Sequence, residues 1–164
     1  LPKDLRAVTR FAQREALETP LLNAILPSNE EHLRRAMELV DESGCRRIGL
    51  VGLSFKAGTD DLRESPFVAL AETLIGKGCD VKIYDPGVSI ARLKGQNLAY
   101  IDQHLPHLAR LLVERPEQIC EHAELVVLGT AVGDSFPWRD RFRHPVIDLR
   151  RDLVTSQPVE REGA

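Results

Sequence analysis

Residues 49–66 read GLVGLSFKAGTDDLRESP, and the fold turns on how this stretch is parsed. Arg46–Leu53 carries Ile48, Leu50, Val51 and Leu53 with two glycines, which predicts a strand covered on both faces. Ser54–Glu64 then breaks the apolar run with Gly58 and five charged residues. Ser65 can cap a following helix, and Pro66 suits its first turn. A loop between the carboxyl end of a parallel strand and the amino end of a helix is where α/β proteins bind ligands. Free backbone N–H groups and the positive end of the helix dipole favour anions there. Lys56 and Arg63 add mobile positive charge. Two readings stand on these residues alone: a phosphate or pyrophosphate site, or an ordinary strand-to-helix loop with solvated charges. Gly49, Gly52 and Gly58 do not have the GxGxxG spacing, and bulky Phe55 sits inside the turn. The standard dinucleotide fingerprint is therefore absent, although the surroundings look Rossmann-like.

Downstream, Phe67–Lys77 predicts a helix with Leu70, Ala71, Leu74 and Ile75 inward, and Asp80–Asp85 a second strand. Together they form a βαβ unit, hence a parallel pair with a right-handed crossover. Asp85 closes that strand about where Rossmann proteins place a ribose-binding acid. With the glycine pattern broken, it reads instead as a polar residue ending a strand before Pro86. Ile90–Lys94, Leu108–Val113 and Pro116–His122 are expected to be helical. Leu125–Gly129 and Pro145–Leu149 supply two more strands. Between them, Ala131–His144 is an aromatic, charged loop holding Phe136, Trp138 and Phe142, a candidate for reading a base. The expected fold is α/β: a Rossmann-like open parallel sheet of four strands with helices on both faces. Its ligand edge collects Ser54–Arg63, Asp85, Thr130 and Arg150.

Upstream, Leu1–Glu18 has helical spacing in Leu1, Leu5, Val8 and Ala12. Thr19–Leu26 is a shorter apolar piece closed by Pro27. Ser28 and Glu31 form a capping box for a helix running to about Glu42, with Leu33, Met37 and Val40 on one face and Gly44 at its end. The expected division is a helical segment, residues 1–44, and a nucleotide-binding domain, residues 45–164. The helices have enough apolar surface to need a partner, either the α/β body or a second subunit in a homodimer.

The chain has 164 residues, 43% hydrophobic and 29% charged, which is enough for a packed core and argues against disorder. A net charge of −3 leaves no electrostatic footprint for nucleic acid. No apolar run approaches the roughly 20 residues that span a bilayer. Cys45, Cys79 and Cys120 are too far apart for a CxxC metal motif or an obvious disulfide framework. They read as small core residues of a reduced, cytoplasmic protein. The first residue is Leu1 rather than Met, and the chain is expected to continue a longer polypeptide.

The wording FKAGTDDLRESP, Phe55–Pro66, resembles the hallmark of the carboxyl-terminal domain of the UDP-glucose/GDP-mannose dehydrogenase family. LPKDLRA, Leu1–Ala7, is similar to that family's segment immediately after its catalytic cysteine. IGKG at Ile75–Gly78 and LPHLARLL at Leu105–Leu112 look nearest to the branch that oxidises GDP-mannose, with the UDP-glucose branch as the alternative. The resemblance covers Leu1 to about Arg150. It implies an NAD-dependent oxidoreductase that takes a nucleotide sugar's C6 alcohol to the acid in a four-electron oxidation. In the GDP-mannose branch the product is GDP-mannuronate, a precursor of acidic polysaccharides such as alginate. A cysteine thiolate captures the aldehyde stage. It also implies an amino-terminal Rossmann domain that binds most of the NAD, a helical centre that dimerises, and a last domain holding the nucleotide. This chain corresponds to the end of the centre plus that last domain, and by itself is expected to be inactive. Carried over by position, Asp4 matches an acid that handles water and protons near the thioester. Asn29 and the Phe55–Lys56 pair match substrate contacts, and Lys56 is the one that touches the nucleotide sugar. Arg63 matches a residue reaching the cofactor's pyrophosphate, and Arg150 a basic residue approaching the nucleotide. The three cysteines match no catalytic position.

Overall fold

The computed structural model describes residues 2–54, 61–88 and 108–150. Helix α1 (Pro2–Arg14) and helix α2 (Pro20–Ser43) lead into strand β1 (Arg47–Val51). Helix α3 (Pro66–Gly76) connects to β2 (Asp80–Tyr84), which a 3₁₀ turn at Pro86–Val88 follows. Then come α4 (Leu108–Leu111), β3 (Leu112–Val113), α5 (Glu117–His122) and β4 (Leu125–Leu128). A 3₁₀ helix (Ala131–Ser135), α6 (Trp138–Arg141) and β5 (Val146–Asp148) complete the described fold. All pairings are parallel, in the order β3-β2-β1-β4-β5.

Side-chain alternation along the central strands divides the interior in two. Ile48 and Leu50 of β1 join Leu125 and Val127 of β4 under α2 and α3, against Met37, Val40, Leu70 and Leu74. Val51, Val126 and Leu128 point the other way, onto Ile119, Ala123, Val132, Trp138 and Phe142. Gly49 is required on this second face. A Cβ there would lie 2.3 Å from Ile119 Cγ2 and 3.1 Å from Ala123 Cβ. The helices therefore flank both faces of an open sheet, as the sequence predicted.

Three expectations change. Leu112–Val113 is an edge strand, not the end of a helix, and it makes the sheet five-stranded. Its two residues pair with Ile83 and Tyr84, too short a stretch for any periodicity to register. The break expected at Pro27 is also absent, because α2 runs through it for 24 residues. A proline there has no N–H to donate and crowds the carbonyl four residues back, at a cost of about 3 kcal/mol. Burial of Ala36, Met37 and Val40 in the second half of the helix offsets that cost. The box expected at Ser28 gives way with the break: Glu31 pairs with Arg34 on the helix surface. Finally, Ala131–His144 is not an open aromatic loop. Trp138 and Phe142 are 2% and 5% exposed and belong to the second core. Apolar rings beside β4 are worth more against Val51 and Val126 than in water. The helix expected at Ile90–Lys94 lies outside the described residues.

Among the described residues, no helix is long and apolar enough to cross a membrane, and no three potential metal ligands converge.

Candidate functional site at the carboxyl edge of the sheet

The strand order reverses direction between β1 and β4, and the carboxyl ends of these strands define the crevice where open α/β sheets take ligands. The segments that follow β1 and β4 leave that point pressed together. Gly52 has φ +90°, and a Cβ on it would lie 2.1 Å from Thr130 Oγ1. Only glycine satisfies both the left-handed backbone and the contact.

The backbone amides that would cradle a phosphate here are already engaged. Asp85, 2% exposed, turns its carboxylate back over the end of β1. Its Oδ2 accepts from Leu53 N–H at 2.8 Å and Ser54 N–H at 3.0 Å, and its Oδ1 from Gly87 N–H at 2.9 Å. Three backbone donors thus converge on this one side chain, which fills the place a ligand oxygen would take in the crevice. The amino end of α3 is likewise closed. Ser65 Oγ accepts from Phe67 N–H at 3.2 Å and donates to the Leu53 carbonyl at 2.7 Å. The cap predicted at Ser65 and Pro66 is present. Among the described residues, this turn therefore does not fit a dinucleotide pyrophosphate, and charged side chains stand along the edge instead.

Two of those side chains share one construction. Asp61-Leu62-Arg63 and Asp148-Leu149-Arg150 both fold so that the arginine lies back on the aspartate two residues earlier. In the first, Arg63 Nε and Nη2 donate to Asp61 Oδ1 and Oδ2 at 2.8 and 2.7 Å. In the second, Arg150 Nε and Nη2 donate to Asp148 Oδ1 and Oδ2, both at 2.7 Å. In each, the arginine's own N–H also reaches the same Oδ1. Bidentate pairing fixes the plane of a guanidinium as a single charge contact would not. The surroundings differ. The first pair is about half exposed, whereas Asp148's side chain is 4% and Arg150's 22% exposed. Arg150 Nη1 also donates to Asp134 Oδ1 at 2.8 Å. Its guanidinium is held further above its already high pKa, first by the Asp148 hydrogen bonds and also by Asp134. Arg63 in turn holds the Asp61 carboxyl below the usual carboxylate range.

Asp4 stands in the first turn of α1. Arg6 pairs with Glu64, tying the first turns of α1 to the segment that carries Arg63. That contact holds the Glu64 carboxyl below its usual value, with help from the Lys3 backbone N–H. Asn29 is exposed on α2, twelve residues before Asp41, which pairs with Lys77 at the opposite edge of the sheet. Twelve helical residues rise roughly 18 Å, so Asn29 lies about that far along α2 from the Asp41–Lys77 pair. No hydrogen bond ties it there among the described residues. Phe55 and Lys56 lie outside the described residues. Burial pushes the Cys120 thiol up, as suits a packed side chain rather than a nucleophile.

The partners of Arg150 are what sequence reasoning missed. The repeated tripeptide Asp-Leu-Arg was the available signal for Asp148. Nothing in the sequence pointed to Asp134. A hollow of about 270 Å³ opens beside them, lined among others by Gly133, Asp134, Phe136, Trp138 and Arg150.

The model of the UDP-glucose/GDP-mannose dehydrogenase family, UDP binding domain, matches residues 49–151, from within β1 to just past β5. The chain belongs to this family. Among its relatives, the GDP-mannose 6-dehydrogenase of Pseudomonas putida is 48% identical over 129 residues, covering 79% of this chain and 30% of the relative. The UDP-glucose 6-dehydrogenase of Rickettsia bellii is 26% identical over 99% of this chain and 38% of its own length. A solved ternary complex of GDP-mannose dehydrogenase from Pseudomonas aeruginosa superposes with a TM-score of 0.74 at 45% identity, covering 79% of this chain and 30% of that one. The UDP-glucose dehydrogenase of Pyrobaculum islandicum gives 0.70 at 28% identity, covering 90% of this chain and 36% of that one. The chain thus spans about a third of the length of the relatives it matches. It is the part of the family fold that carries the UDP binding domain.

Proposed function

We propose that these residues hold the nucleotide of GDP-mannose for an NAD-dependent 6-dehydrogenase that oxidises the sugar to GDP-mannuronate. The observation that carries this reading is the carboxyl edge of the sheet. The β1 turn, whose phosphate-type amides are spent on Asp85, lies two strands from an arginine fixed in place at the end of β5. Two inter-strand steps are roughly 10 Å, a span that one extended nucleotide covers. Lys56 supplies the charge contact to the nucleotide sugar, Phe55 and Asn29 further substrate contacts, and Arg150 a directed pair of N–H donors. Asp4 serves the reacting end, beside the segment that carries Arg63. NAD is bound mainly by residues outside this chain, and Arg63 reaches its pyrophosphate. Identity of 48% to a GDP-mannose 6-dehydrogenase against 26% to a UDP-glucose 6-dehydrogenase supports the mannose branch, and the second reading is UDP-glucose. Residues 1–44 act as the end of a helical dimerisation region and residues 45–164 as the nucleotide domain.

Separate calorimetric titrations of the 164-residue chain with GDP, UDP and NAD test this. The expected order is GDP first, with binding weakened in Lys56→Ala. Preference for UDP overturns the substrate but keeps the family role, and NAD binding tighter than GDP overturns the division of labour.

A further inference from the structure

Arg150 is held by two carboxylates of opposite character. Asp148 ends the half-buried edge strand β5, offers both oxygens and is itself almost fully shielded from water. A shielded, doubly bonded pair of this kind is not given up without leaving a charge stranded. Asp134 stands on the 3₁₀ helix Ala131–Ser135, offers one oxygen, and is 63% exposed. Exposed single contacts are weak and are exchanged readily for other acceptors. The charged side chains lining the hollow, Asp134, Asp140 and Asp148 against Arg139 and Arg150, sum to −1, an unfavourable surface for an anionic ligand unless one carboxylate withdraws.

Resting on the nucleotide reading above, we infer that Asp134 is a displaceable counter-ion. An acceptor oxygen of the incoming nucleotide replaces Asp134 on Arg150 Nη1, while Asp148 keeps the guanidinium plane fixed. The exchange forms one N–H···O hydrogen bond and breaks one, and it moves no proton. Asp134 then sets affinity without touching the ligand: its carboxylate is a competitor built into the chain. Arg150 and Asp134 both line the hollow beside Phe136, which leaves the pair an open face for the exchange.

The test is a cycle of four proteins titrated with GDP: the unchanged chain, Asp134→Ala, Arg150→Met and the double variant. Asp134→Ala is expected to tighten the dissociation constant about two- to fivefold, the equilibrium equivalent of one exposed ion pair. Arg150→Met is expected to weaken binding, and adding Asp134→Ala to it to change nothing further. No gain in Asp134→Ala, with a loss in Arg150→Met, overturns the counter-ion and leaves the nucleotide reading standing. An equal gain in both backgrounds also overturns it, because the effect is then long-range charge rather than exchange. Unchanged GDP binding in Arg150→Met removes Arg150 from the site and the inference with it. Absence of GDP binding at millimolar concentration in all four overturns both. Thermal melts of the variants establish that each is folded.

Discussion

Gly49 shows how little freedom a single position has when it lies under a helix. Its missing side chain lets α5 lie directly on the sheet, with Ile119 fully buried above it. Gly49→Ala is expected to lower unfolding stability by about 1–3 kcal/mol, the usual cost of overpacking a filled core, as measured by urea denaturation. A loss below a few tenths would mean that α5 shifts freely. Asp85 has a comparable constraint of a different kind. A carboxylate bonded to three amides from two loops cannot be exchanged for an amide side chain without turning one attractive contact repulsive.

At the level of helices and strands, the contact between α1 and the segment before α3 depends on pH. Arg6 depresses the Glu64 carboxyl in the folded chain, so this contribution is complete above the ordinary carboxylate value of about 4.3 and disappears as pH falls through the lower folded value. Asp61 follows the same sign, its carboxyl depressed first by Arg63. Amide exchange in α1 is therefore expected to accelerate below about pH 4 before exchange in β1 and β4 does. Simultaneous loss would show that α1 is held by something other than this pair. The long elements were legible in the sequence for physical reasons. Apolar runs of four and five residues predict β1 and β4, and Ser65-Pro66 announces α3. What escaped the sequence were features whose cause is far away in the chain. Pro27 stays helical because Ala36–Val40 is buried, Leu112–Val113 is a strand because β2 has an open edge, and Trp138 is interior because β4 needs a cover. The site divides similarly. Arg150 and Arg63 stood out by charge and position, but their partners depend on how Asp148 and Asp61 fold back, which spacing alone does not show. Lys56 rests on sequence in both respects.

For the molecule as a whole, large exposed apolar side chains are unevenly distributed among the described residues. Val8, Phe11, Leu17 and Leu21 are 51%, 63%, 59% and 78% exposed, and all lie within the first 21 residues, on α1, α2 and the link between them. Under the proposed dimerisation through these helices, Phe11→Asp with Leu21→Asp shifts sedimentation from dimer to monomer and leaves the circular dichroism spectrum unchanged. A wild-type chain that sediments as a monomer at all concentrations removes the dimer. The same pair of changes is expected to leave GDP affinity intact, since neither residue is among those proposed to hold the nucleotide.

The inward turn of Asp85 has a bearing on redesign. Grafting a glycine fingerprint into the β1 turn is the obvious way to convert such a domain into a dinucleotide binder. In this chain, new glycines would open space while the resident carboxylate still filled it with negative charge. A phosphate group would meet repulsion where the template expects welcome. The conversion has to begin one strand away, at the end of β2, with the amides of Leu53 and Ser54 released before any loop is rebuilt.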